Sequence, residues 1–183
     1  MSELTIIEQC SPTLAGLKTA NLFSCKYDCK KKLWEDIRCF NALLIHKGIR
    51  MIPLNAENNR ALIYVFRPKK LESDISDRKS REILQKHGYD ENRINSCIVK
   101  LIGRLKQNSE FPHEIGLFLG YPPEDVKAFI EHRDEGCKCV GCWKVYSDEN
   151  AARKSFEKFK KCTRIYRKLY SGGKSIEQLT IAG

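Results

Sequence analysis

The chain has 183 residues, 42% apolar and 31% charged, with a formal net charge of +10. This is globular composition, which excludes a disordered chain, and no apolar run nears the roughly 18–20 residues that a membrane-spanning helix needs. The opening Met1-Ser2-Glu3-Leu4-Thr5-Ile6-Ile7-Glu8 carries acids and no basic, strongly apolar leader, so a cytoplasmic location is expected. In that compartment nine cysteines serve as buried apolar groups, metal ligands or redox groups rather than as bridges.

Asn21-Leu22-Phe23-Ser24-Cys25 reads as a short strand. Asp28 then caps a helix predicted over residues 30–47, where Leu33, Ile37, Phe40 and Leu44 recur every three or four positions and Gly48 supplies the stop. Residues 51–54 and 61–66, separated by a polar stretch, predict a β-hairpin. Its second strand, Ala61-Leu62-Ile63-Tyr64-Val65-Phe66, is apolar on both faces and belongs at the centre of a sheet; Pro53 puts the first at an edge. After Pro68 a helical pattern runs to His87 and ends at Gly88, and a second helix covers residues 93–106. Pro112 and Pro123 open two short helices. Residues 144–146 form a short strand, and Ser147 caps a long helix to Tyr170, with Phe156, Phe159, Tyr166 and Tyr170 facing inward. Strands are few and scattered among helices without a βαβ rhythm. A single α+β domain over residues 1–183 is expected, a small, mostly antiparallel sheet packed against several helices.

The strongest chemical signal is Gly136-Cys137-Lys138-Cys139-Val140-Gly141-Cys142-Trp143. Glycines on both sides let the backbone bend, so that three sulfurs converge on one point. Lys138 and the basic segment that follows put positive charge where a thiolate would sit, the form that attacks or ligates. Such ligands suit zinc or iron, but a closed site wants four. His113, Cys10 and His132 are candidates for the fourth position, with Cys25, Cys29 and Cys162 behind them. Thiol redox chemistry at Cys139-Val140-Gly141-Cys142 is the alternative, although Cys142 runs into a strand rather than opening a helix as a thioredoxin motif does. A turn whose cysteines pack under Trp143 is the structural alternative to both.

Phe111-Pro112-His113-Glu114 is a second candidate, a His-Glu pair at a helix start that could bind metal or move protons. Cys10-Ser11-Pro12-Thr13-Leu14-Ala15-Gly16-Leu17-Lys18 reads as neither helix nor strand and could line an enzyme's pocket together with His113 and Glu114. The charge is also localised. Between Ala151 and Lys174 stand nine Lys/Arg and one acid, Glu157. Lys154, Lys158, Lys161, Arg164, Arg167 and Lys168 are the candidate partner-binding residues, and an acidic protein or nucleic acid is the partner their charge fits.

Residues 10–18, 61–67, 111–125 (FPHEIGLFLGYPPED) and 138–146 (KCVGCWKVY) together resemble domain-of-unknown-function family 3793, uncharacterised proteins of anaerobic bacteria. The resemblance runs over nearly the whole chain. It implies no catalytic residues, since the family has no established activity. It does imply neighbours among flavodoxin-like electron carriers and iron-acquisition functions, and a recurring pair at Cys139 and Cys142, with Cys137 an addition here. The expected function is therefore a redox- or metal-handling accessory protein, with iron the metal the resemblance suggests, that docks an acidic partner such as a flavodoxin-like carrier through the basic helix. The alternatives are a nucleic-acid-binding or regulatory protein using that helix, and an enzyme.

Overall fold

The strand with the most apolar sequence takes the centre of the sheet. In the computed structural model, which describes residues 1–90, 93–107, 111–133 and 135–183, β1 (Ala20–Lys26), β2 (Arg50–Glu57) and β3 (Arg60–Phe66) form an antiparallel sheet in the order β1-β3-β2. Ile63, Tyr64 and Val65 are fully buried, as a strand covered on both faces requires. Asn58 and Asn59 make the two-residue turn between β2 and β3, at φ 49° and 59°, the left-handed pair that matches the twist of the flanking strands. Pro53 lies on edge strand β2 beside a register shift at Asn55. The fold is α+β, as expected.

The chain divides into two compact units, Met1–Lys69 with Phe159–Gly183, and Lys70–Lys158. The first contains the sheet, with α1 (Glu3–Leu14), α2 (Lys30–Leu44), the end of α8 (Glu149–Ser171) and α9 (Ile176–Leu179). Ile6, Ile7, Cys10 and Leu14 of α1 pack with Leu33, Ile37, Phe40 and Leu44 of α2 on one core that also takes Ile63 and Val65. Asn41 secures α2 to the sheet edge, its amide donating to the Met51 carbonyl and its carbonyl accepting from the Met51 N–H, both at 2.8 Å. The expected cap at Asp28 is displaced by one residue: Cys29 stands at the cap position, without a side-chain hydrogen bond.

Residues 10–14 are helical, which corrects the irregular reading of residues 10–18. Pro12 sits in the last turn of α1, where its missing N–H forfeits one bond and the helix has little left to run. The Leu17 and Lys18 N–H groups both return to the Pro12 carbonyl, and Gly16 takes φ 69° to make that closure. Arg67, 4% exposed, completes this end of the unit. Its Nε donates to the Thr13 carbonyl at 2.7 Å, and Nη2 donates to the carbonyls of Leu14 and Ile181 at 2.8 and 2.7 Å. The Ile181 N–H returns to the Leu14 carbonyl, so the segment after α9 is tied to the end of α1. Neither this role of Arg67 nor the four-residue α9, with its Ser175–Gln178 capping box, is visible in the hydrophobic pattern.

The second unit holds most of α3 (Pro68–Ser76), then α4 (Arg78–Lys86), α5 (Ile94–Gln107), α6 (Ile115–Phe118), α7 (Pro123–His132), β4 (Cys139–Val140), β5 (Lys144–Val145) and the start of α8. The single helix expected from Pro68 to His87 is two. Asp77 breaks it, its carboxylate accepting from the Lys79 and Ser80 N–H groups as the cap of α4. Asp148 takes the capping role expected of Ser147, accepting from the Ala151 N–H at 3.0 Å. No helix among the described residues is long and apolar enough to cross a membrane.

Candidate functional site

The cysteines lie on a two-stranded hairpin that packs on the first turns of α8. Cys139 pairs with Val145 and Val140 with Lys144, which leaves Gly141, Cys142 and Trp143 as the turn. Alternation along so short a ribbon sends neighbouring side chains to opposite faces. Val145 is fully buried against Ala152 and Phe156 of α8, and Cys139 and Trp143 pack on the same cluster. Val140, on the other face, is 71% exposed. A Cβ at Gly141 would lie 2.2 Å from the Phe156 ring, so only glycine lets the turn approach the helix this closely.

A residue absent from the candidates above anchors this hairpin. Asp125, 2% exposed in the first turn of α7, accepts from Trp143 Nε1 at 2.7 Å through Oδ2. Its Oδ1 accepts from the N–H groups of Tyr146 and Ser147 at 2.9 and 2.8 Å. Burial works to raise this carboxyl, but the bonds from Tyr146, Ser147 and Trp143 outweigh it and hold Asp125 below its ordinary value. Around the anchor, Trp143 stacks on Tyr121 at 5.0 Å and meets Phe156 edge-on at 4.6 Å. Burial pushes the Tyr121 phenol up to about 12, with the nearby Cys142 adding to it.

The three thiols therefore occupy different environments. Cys139 is half-buried on the α8 cluster, and the Arg153 guanidinium feels it as well as its partner Glu149, 2.7 Å away. The half-buried Cys137 donates its S–H to the Cys139 carbonyl at 3.2 Å. Cys142 stands exposed in the turn. Among the described residues no three His, Cys, Asp or Glu side chains come together in a way that could hold a metal ion, so the expected convergence of Cys137, Cys139 and Cys142 is not formed. The glycines bend the chain into a short hairpin in which Cys139 packs on the α8 cluster while Cys142 stands exposed in the turn.

The remaining candidates fall into separate settings. Cys10 is a fully buried core thiol on α1, and burial pushes it well above its ordinary value. His132 is exposed in the last turn of α7, 3.9 Å from Glu131. His113 and Glu114 do not act as a pair. Glu114, 1% exposed, accepts from the Tyr89 hydroxyl at 2.8 Å and lies 2.6 Å from Arg104 Nε, an ion pair by proximity rather than an aligned hydrogen bond. His113 meets the Phe129 ring edge-on at 4.9 Å, and its buried Nε2 has no hydrogen-bond partner among the described residues.

On α8 the cations fall where the periodicity predicts. At 100° per residue, Arg153, Lys154, Lys158, Lys160, Lys161, Arg164, Arg167 and Lys168 share roughly half the circumference, and all eight are exposed. Ala152, Phe156 and Cys162 are buried on the other side. Arg153 pairs with Glu149, and Arg167 with Glu8 at 3.3 Å. Among the described residues Lys154, Lys158, Lys160, Lys161, Arg164 and Lys168 enter no ion pair.

An α+β protein with a cysteine hairpin seated on a cationic helix is thus defined by its own geometry. A family model described as Protein of unknown function (DUF3793) matches residues 6–180, and the chain belongs to that family. No curated protein and no solved structure matches it.

Proposed function

We propose that this protein docks an acidic protein partner through α8 and presents the hairpin thiols, Cys142 foremost, for exchange with a disulfide carried by that partner. One observation carries the reading: among the described residues six cations of α8 enter no ion pair and share its exposed side, and Ala152 and Phe156 in the first turns of the same helix seat the cysteine hairpin. Unpaired surface cations repel one another, and an acidic partner relieves that repulsion while accelerating encounter. In the exchange, a Cys142 thiolate attacks one sulfur of the partner's disulfide. One S–S bond forms as the other breaks, and the second sulfur leaves as a thiolate. Zinc or iron at Cys139 and Cys142 would need further donors beyond the hairpin, so the thiols are assigned as exchanging groups rather than as a closed metal site.

Two measurements test it. Titrating the full chain with an acidic flavodoxin-like carrier, the triple variant Lys158→Glu/Lys161→Glu/Arg164→Glu is expected to bind at least tenfold more weakly at low salt. The difference should shrink as ionic strength rises. An unchanged affinity sinks the docking role. Separately, in a Cys29→Ser/Cys39→Ser background that removes the other two exposed thiols, anaerobically prepared protein is expected to show one fast-reacting thiol toward an aromatic disulfide, lost in Cys142→Ser. Stoichiometric zinc or iron that disappears in Cys139→Ser/Cys142→Ser would replace exchange with metal handling.

A further inference from the structure

Within the cationic stretch of α8 stands one large apolar side chain, Ile165, 43% exposed. Lys161 lies one turn before it, Lys168 one turn after, Lys158 two turns before, and Arg164 beside it, all exposed. An exposed aliphatic group flanked along the helix by Lys158, Lys161 and Lys168 has the makings of a small interface, an apolar anchor at the border of a charged face. We infer that α8 recognises an acidic protein segment carrying an aliphatic residue among its carboxylates, with that residue seated on Ile165 and the carboxylates on Lys158, Lys161 and Lys168. This rests on the docking reading above and specifies its ligand.

Other occupants fit this surface less well. A phosphate backbone would gain from the lysines but nothing from Ile165, whereas Glu157 repels a phosphate and a carboxylate alike. Nor is a ring offered for base stacking: Phe156 is buried, and Tyr166 is half-buried against the core of the first unit. A second copy of this chain brings its own net charge of +10 and the same cations, which repel.

The test uses two short labelled peptides, one glutamate-rich with a single central leucine and the other with serine in its place, read by fluorescence anisotropy on the full chain. The leucine peptide is expected to bind about fivefold more tightly, the gain from covering a partly exposed aliphatic group. That ratio should persist as salt weakens both peptides, because apolar contact is not screened. Ile165→Ser, a change at an exposed position, should abolish the ratio and leave the serine peptide's affinity unaltered. If the peptides bind equally, yet Lys161→Glu/Lys168→Glu weakens both, the Ile165 anchor is wrong and the docking surface stands. If the charge reversals weaken neither, both readings fall. Duplex DNA binding more tightly than either peptide at matched salt would also overturn the inference.

Discussion

Asp125→Ala is expected to release the cysteine hairpin from α7 and to destabilise the second unit by about 3–4 kcal/mol. The carboxylate satisfies three donors on one short ribbon, the Trp143 indole and the N–H groups of Tyr146 and Ser147. Alanine leaves those donors without a partner where the anchor is 2% exposed, and an unmet buried donor costs more than a made bond returns. Asp125→Asn should cost less, about 1–2 kcal/mol, since its one carbonyl oxygen still serves Tyr146 and Ser147 while its amide faces another donor at Trp143. The variants also differ in pH dependence. A carboxyl held below its ordinary value contributes stability that is present above its unfolded value of about 3.9 and is lost as pH falls through the lower folded one. The wild type should therefore lose stability over that acid window, whereas Asp125→Asn should lack this component. Emission from Trp143 in a Trp34→Phe background reports the hairpin directly. If Asp125→Ala leaves that signal and the melting midpoint unchanged, the anchor is not what holds the ribbon.

Arg67→Met is expected to cost the first unit about 3–4 kcal/mol, chiefly by freeing the segment that follows α9. The guanidinium faces carbonyl oxygens rather than a carboxylate, and burial draws it below its ordinary value, so its presence carries a desolvation cost. Three bonds of 2.7–2.8 Å oppose that cost. Two of them fall on the carbonyls at the end of α1, where the helix dipole favours a cation. Lysine offers a point charge in place of a planar fork and cannot reach Thr13, Leu14 and Ile181 together, so Arg67→Lys should recover little. Hydrogen exchange at the Ile181 amide, which donates to the Leu14 carbonyl, separates this from a general loss of packing. Protection there that survives in Arg67→Met would show that the segment is held by α9 alone.

The parts of this fold that follow from periodicity were readable from residue order. The central strand announces itself by being apolar on both faces, Pro53 marks the edge, and the cations of α8 recur on the side away from Phe156. What escaped reading depends on polar groups brought together across the chain. Asp125 looks like an acid placed for the dipole of a helix opened by Pro123, and nothing nearby signals that residues 143, 146 and 147 converge on it. Pro12 and Gly16 suggested a break where α1 in fact runs on to Leu14, because a proline in the last turn sacrifices a single bond. The cysteines were drawn toward a common point by their spacing, but two residue pairs of β-ladder place Cys139 on the strand that packs on α8 and leave Cys142 exposed in the turn. His113 and Glu114, adjacent in sequence, belong to different clusters because a turn rather than a helix face carries them.

The Asn41 side chain has a consequence beyond fastening α2. A strand on the rim of a sheet offers unused N–H and C=O groups to any extended chain that drifts past. On β2 the Met51 pair is already occupied by the Asn41 amide, and two residues on Pro53 has no N–H to offer. At Met51 and Pro53 an incoming strand therefore finds no free N–H on this edge, which hinders growth of the three-stranded sheet there.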